Sequence, residues 1–253
     1  MENRDPSRVF GEIADLYDRV RQPYPSAVFG DVLDYSRGAR EALEIGAGTG
    51  RATAAFAGRG VLVTAIEPDA DMAAILDRRL DRARIERCRF EEFRPPQKFP
   101  LVFSAEAWHW TVPETRWQLT RAALADGGTF ALFWNNERVA DPRLQKAFVN
   151  VFAELAPTVT IKDLSVTPER AWSQWPGDEL AAADGFADLT SRHYVTHQMV
   201  SRADFVGLAQ TRSQFRMLPA DTRQRVVARL TDLFGDEVPM AIDTTLLLAR
   251  RAD

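Results

Sequence analysis

At 253 residues, with 45% hydrophobic and 27% charged side chains, the chain can bury one substantial α/β core and has an ordinary globular composition. A formal net charge of -4 gives no reason to expect a nucleic-acid polyanion as partner, and the basic residues, nearly all Arg, read as solvated helix faces. The single cysteine, Cys88, excludes an intramolecular disulfide and a cysteine-based zinc site; the charged start is no signal peptide, and no apolar run approaches the ~20 residues of a membrane span, so a cytoplasmic protein is expected.

In chain order, residues 5–35 read as two helical pieces broken at Gln22-Pro23-Tyr24-Pro25, because two prolines so close cannot continue a helix. A regular alternation follows. Ala42–Ile45 is a short apolar strand ending in a glycine-rich turn, and Arg51–Ala57 is Ala-rich and helical. Leu62–Ile66 is a β-branched strand, Asp71–Leu80 a helix, and Ile85–Phe90 a weaker third strand. Leu101–Ala105 is a fourth strand, Pro113–Leu124 a helix and Gly128–Phe133 a fifth strand. The alternation lapses after Trp134. Residues 141–154 are expected to form an amphipathic helix, with Leu144, Phe148, Val151, Phe152 and Leu155 on one side, and 157–185 is irregular. Phe186–Val200 is strand-like, helices fit Ser201–Thr211 and Pro219–Phe234, and Ala241–Ala249 is a closing strand. Ser201 is a candidate N-cap.

Apolar strands alternating with helices predict an α/β fold, a Rossmann-like seven-stranded, mostly parallel sheet with helices on both faces. A single domain over 1–253 is expected. It comprises a helical lid at 1–40, a nucleoside-binding core at 41–135, a helical cap at 136–180 inserted after strand 5, and closing strands and helices at 181–253.

The turn Glu44-Ile45-Gly46-Ala47-Gly48-Thr49-Gly50 carries the functional argument. Glycines at alternate positions leave no side chains over the turn, so backbone can approach a ligand and the next helix aims free N–H groups at it. The dinucleotide fingerprint G-x-G-x-x-G would need glycine at 51, where this chain has Arg51. Glu67 ends the second strand, 19 residues after Gly48, where a carboxylate can accept both hydroxyls of a ribose. A strand-end acid can also cap the following helix, with Asp69 or Asp71 beside it. Turn and acid together point to a nucleoside cofactor without pyrophosphate, and an adenosyl sulfonium fits better than NAD.

Glu44–Gly50 followed by Ile66-Glu67-Pro68 resembles the first two motifs of class I S-adenosylmethionine (SAM) dependent methyltransferases. The segment Phe99–Trp110, ending Trp108-His109-Trp110, resembles the small-molecule branch that includes trans-aconitate methyltransferase, as do Phe10–Pro25 and Thr211-Arg212-Ser213. The resemblance implies that Gly46, Ala47, Gly48 and Gly50 form the turn that holds the methionine portion of SAM, with Glu44 near its ammonium. It further implies Glu67-Pro68 at the ribose, Met72 beside the adenine, Phe90 and Glu91 along the adenine edge, and Ala105 and the residues after it beneath the sulfonium. S-adenosylhomocysteine (SAH) would be the product. Three positions depart from the family pattern: Arg89 replaces an acid, with Glu91 standing in for it, Pro100 replaces an acid, and Gln22-Pro23 replaces Pro-Gly.

Methyl transfer needs alignment of nucleophile, methyl and sulfur, and a base only for an acceptor that arrives protonated. His109 is the candidate base. Trp108, Trp110, Arg21 and Tyr24 are candidate substrate-pocket residues, and Tyr17 is expected to face the cofactor from the lid. His193 and His197 sit four apart, but Tyr194-Val195-Thr196 between them favours a strand, so no metal site is expected. The reading is a SAM-dependent methyltransferase acting on an O or N atom of a small-molecule acceptor, a carboxylate among the candidates. It is a monomer or homodimer with no nucleic-acid or membrane partner. A SAM-binding protein without catalysis, a user of modified SAM and an NAD-dependent oxidoreductase are the alternatives.

Overall fold

The computed structural model describes residues 11–80, 83–161 and 170–252. The start of the first expected helix, 5–10, and residues 162–169 of the expected cap lie outside them. In chain order the elements are α1 (Ala14–Val20), α2 (Ser26–Tyr35), β1 (Glu41–Ile45), α3 (Arg51–Ala57), β2 (Leu62–Ile66), α4 (Ala70–Arg79), β3 (Arg84–Glu86) and β4 (Phe99–Ala105). They continue with α5 (Arg116–Ala123), β5 (Leu124–Val139), α6 (Pro142–Leu155), α7 (Gly177–Ala182), β6 (Phe186–Ser201), α8 (Arg202–Gln210), α9 (Ser213–Arg216), α10 (Ala220–Leu233) and β7 (Glu237–Arg251).

The strands form one mixed seven-stranded sheet in the order β3-β2-β1-β4-β5-β7-β6. The pairs β1/β2, β1/β4, β2/β3 and β4/β5 are parallel. Strand order reverses between β1 and β4, which makes the crevice at their carboxyl ends the ligand position of a doubly wound sheet. The expected Rossmann-like α/β fold is the one observed.

The described residues divide into two compact units. The core unit holds 23–135, 170–194 and 244–252; the second holds 11–22, 136–161 and 195–243. In the core unit the period-2 alternation of strand side chains sorts residues into two apolar clusters. Ala42, Leu101, Phe103, Leu246 and Leu248 join helix residues Val28, Phe29, Phe56 and Leu76 on one face. Leu43, Ile45, Val102, Leu247 and Ala249 join Ala123, Trp108 and Phe130 on the other. The second unit has its own cluster, in which Phe148, Val151 and Phe152 of α6 meet Phe205 of α8 and Leu230 of α10. That is the apolar side expected for 141–154.

Local chemistry sets the boundaries. The proline pair separates α1 from α2, with Pro25 as the residue before α2. Asp69 caps α4 by accepting from the N–H groups of Asp71 and Met72, both at 3.0 Å, and Asp141 caps α6 in the same way with Pro142 behind it. Ser201 caps α8 by accepting from Asp204 N–H at 3.1 Å, as expected. Three expectations need correction. The third strand stops at Glu86, where Cys88 N–H donates to Glu86 O and the chain turns, so Phe90 lies in a loop. The fifth strand runs to Val139 and the closing strand starts at Glu237, longer than their apolar stretches because paired backbone continues past them.

Candidate functional site

The site is assembled at the carboxyl ends of β1, β2 and β4, all in the core unit. Gly46, Gly48 and Gly50 adopt φ of 71°, 56° and 80°, which side-chain-bearing residues avoid. The three do different work. A Cβ at Gly46 would lie 2.3 Å from the Ala107 Cβ, and one at Gly50 would lie 2.2 Å from Leu76 Cδ1, so both positions let other elements pack close. A Cβ at Gly48 would meet nothing within 4 Å, so the backbone there faces open space. The turn is fixed from below by Gly46 and Ala47 N–H groups, both donating to Ile66 O at 2.9 Å.

Glu67 is 7% exposed and leans onto the turn. Its Oε2 accepts from Gly48 N–H at 2.7 Å and its Oε1 from Asp69 N–H at 2.8 Å. The α4 cap belongs to Asp69, so helix capping does not account for the Glu67 side chain. Burial pushes its carboxyl up to about 7; the two backbone donors act against that and the Asp69 charge adds to it. Glu44 is 1% exposed and accepts from the Thr53 hydroxyl on α3. Burial pushes it up to about 8, opposed by Thr53 and reinforced by Glu67. Two buried carboxylates thus share one turn, and no Lys or Arg pairs with either among the described residues.

The remaining predicted positions spread around this centre. Met72 is buried in the first turn of α4, Pro68 is exposed, and Phe90 is buried in the core cluster. Glu91 Oε1 accepts from Val112 N–H at 2.7 Å, which ties the loop after β3 to the loop after β4. Ala105 ends β4 beside the turn. Trp108 points into the core, 4% exposed, with ring centroids 4.9 Å from Trp117 and 5.1 Å from Phe130. His109 is exposed, 4.5 Å from the Trp110 ring and 6.4 Å from the Trp175 ring. Tyr24 packs edge-on against Phe133 at 4.9 Å.

Tyr17 and Arg21 belong to the second unit. Arg21 lies over the Tyr17 ring at 4.9 Å, donates through Nε to Thr211 Oγ1 at 3.0 Å and pairs with Glu137 at 3.7 Å, as does Arg212. Two separated stretches of the family resemblance, 10–25 and 211–213, therefore meet on one buried carboxylate. His193 and His197 both lie on β6, and no group of three or more metal-ligating side chains exists among the described residues. None of the described helices is long and apolar enough to cross a membrane.

Two residues given no role of their own by the sequence stand at the same sheet edge. Glu106 follows β4 with φ of 59°, and its Oε1 accepts from Asn135 N–H at 3.0 Å. Asn135 Oδ1 in turn accepts from the Thr244 hydroxyl at 2.7 Å. The sequence signal for Glu106 is one acid between two alanines after an apolar strand, which spacing alone does not separate from a surface residue.

A switch-point crevice with a glycine turn and a buried acid seated on it is the arrangement that binds nucleosides in doubly wound α/β proteins. Residues 42–128 match the family pattern of a methyltransferase domain. The chain is 26% identical over 254 residues to an uncharacterized methyltransferase of Mycobacterium tuberculosis, covering 97% of this chain and 93% of that one. It is 32% identical over 127 residues to a Saccharomyces cerevisiae protein that carries the name of a SAM-dependent methyltransferase, covering 47% and 43%. Among solved structures, one named as a type II methyltransferase from Anaeromyxobacter dehalogenans superposes with a TM-score of 0.68 at 22% identity, covering 91% of this chain and 97% of that one. Over residues 42–128 the chain thus matches a methyltransferase domain, and SAM is the methyl donor such a domain implies. The residues present suit it. Glu67 spends one lone pair per oxygen on backbone donors and keeps another on each for a ribose diol, and the open space over Gly48 leaves room for a ligand.

Proposed function

We propose that the chain moves the methyl group of SAM to an oxygen or nitrogen atom of a small-molecule acceptor. The observation that carries the cofactor site is the Glu67 carboxylate seated on the Gly48 N–H at the switch point. In this reading Gly46, Ala47 and Gly48 hold the methionine portion and Glu44 faces its ammonium. Glu67 and Pro68 hold the ribose, Met72, Phe90 and Glu91 border the adenine, and Gly50 fixes the turn against Leu76. The carboxyl end of β4, from Ala105, lies beneath the reacting centre, with Trp110, Tyr24 and the exposed His109 on the acceptor side. Bound SAM supplies a methyl carbon on a sulfonium, which an aligned nucleophile displaces in line. The protein's own contribution is to orient the two reactants and exclude water. The balance of 32 basic against 36 acidic residues supports a small acceptor over a nucleic acid.

Isothermal titration with SAH and NADH, followed by incubation of methyl-labelled SAM with a deproteinised metabolite extract, tests this. SAH binding with label passing to an extract component is expected. NADH binding without SAH binding would end the cofactor assignment, and SAH binding without transfer would end the catalytic one.

A further inference from the structure

We infer that Glu106 is a catalytic residue, a carboxylate that orients the acceptor and receives its proton, and that the acceptor is therefore a hydroxyl or amine and not a carboxylate. This rests on the methyltransferase reading above and adds to it the acceptor chemistry.

Glu106 is one of three non-glycine residues with positive φ among the described residues, and the only one at the crevice. Left-handed backbone is costly for a residue with a Cβ, and glutamate lacks the short side chain that eases it for Asn or Asp. Such strain persists where the surroundings over-determine it, and here they do. Glu106 N–H donates to Phe133 O at 3.0 Å, holding the residue to the middle of β5. Its Oε1 accepts from Asn135 N–H, and the Asn135 amide is itself held by the Thr244 hydroxyl. The next residue, Ala107, sits so close to the glycine turn that any side chain at Gly46 would strike it. The carboxylate is thus fixed beyond the carboxyl end of β4, one residue from the wall of the cofactor turn. An ordinary surface glutamate needs neither the strained backbone nor two strands to hold it.

In the step this serves, a lone pair on the acceptor oxygen or nitrogen forms the new bond to the methyl carbon. The bond from that carbon to sulfur breaks with its electron pair staying on sulfur. The proton left on the acceptor passes to the Glu106 carboxylate and then to water. A carboxylate acceptor carries no such proton and would face a like charge.

The test uses the full chain, methyl-labelled SAM and the deproteinised extract, with Glu106→Gln and Glu106→Gly. Both variants should bind SAH within about threefold of the unmodified chain and transfer at least ~100-fold less label, the lower end of what a positioned base contributes. Glu106→Gly accepts positive φ freely, so it should melt no lower than the unmodified chain while remaining as inactive as Glu106→Gln. The transferred label should survive mild alkali, as N-methyl and ether groups do. Release as labelled methanol, which marks a methyl ester, overturns the proposal; so does near-normal transfer by either variant, or no transfer at all by a chain that binds SAH. Failure of the unmodified chain to bind SAH would instead sink the cofactor site.

Discussion

Two buried carboxylates on one turn, with no basic partner among the described residues, should make the ligand-free protein less stable as pH rises, and Glu44→Gln should remove much of that dependence. The usual carboxyl value is 4.5, and the folded protein holds Glu67 near 7 and Glu44 near 8. The folded state therefore binds more protons than the unfolded chain between about 4.5 and 8, and stability falls with pH across that window. The contribution is fully present below 4.5 and is lost as pH rises through 7 to 8. Holding a carboxyl near 8 instead of 4.5 corresponds to roughly 5 kcal/mol on ionisation, an upper figure because each acid raises the cost of ionising the other. For a chain of this size 1 kcal/mol is worth about 2–4 °C in Tm, so a drop on the order of 10 °C between pH 6 and 8.5 is expected. Scanning calorimetry of both proteins from pH 5 to 9 measures it. The amide keeps an oxygen for the Thr53 hydroxyl but cannot ionise, so the variant should melt higher than the unmodified chain at pH 8.5 and match it near pH 5. Parallel Tm profiles for the two proteins would refute the reasoning.

Four further outcomes are expected. Glu67→Ala should weaken SAH binding about 100-fold by calorimetry, from two charge-assisted hydrogen bonds of ~1.5 kcal/mol each, while the circular dichroism spectrum stays unchanged. Gly50→Ala should cost about 2–4 kcal/mol in urea unfolding, because the new methyl strikes Leu76 and φ is 80°. Gly48→Ala meets no atom, so it should cost only the ~1–2 kcal/mol of strain yet still impair SAH binding. Arg21→Met should destabilise by about 3 kcal/mol, since Glu137 is 5% exposed and would keep one of its two cations, Arg212; Arg21→Met with Glu137→Met should recover most of that loss in a double-mutant cycle.

The parts of the fold legible in the sequence are those written in local chemistry. The proline pair at 23 and 25, the Ser201 cap and the apolar runs at 62–66 and 101–105 carry their structure within a few residues, and the parallel sheet follows from the alternation of strands and helices. The glycine turn and Glu67 were equally visible because their spacing is a property of one strand–helix–strand unit. Strand lengths were not, since β3 ends and β5 continues according to which backbone is available to pair with them. The destination of Arg21 was also hidden. Its partners, Glu137 and Thr211, are more than a hundred residues away, and no local pattern separates an arginine bound to an internal carboxylate from one waiting for a substrate.

The strand end after β4 shows the same limit within three residues. Trp108, His109 and Trp110 looked like one aromatic group, yet the 3-10 turn they form rotates Trp108 into the core beside Phe130 and leaves His109 exposed. Hydrophobic character cannot distinguish them, because both tryptophans are apolar and only the turn decides which is buried. Two residues earlier, Glu106 has no periodicity to betray it; its significance lies in a backbone angle and in a strand partner 29 residues on. The cofactor end of such a site is built from backbone turns that sequence spacing encodes. The acceptor end is built from side chains that tertiary packing selects, so the identity of the donor is readable long before that of the acceptor.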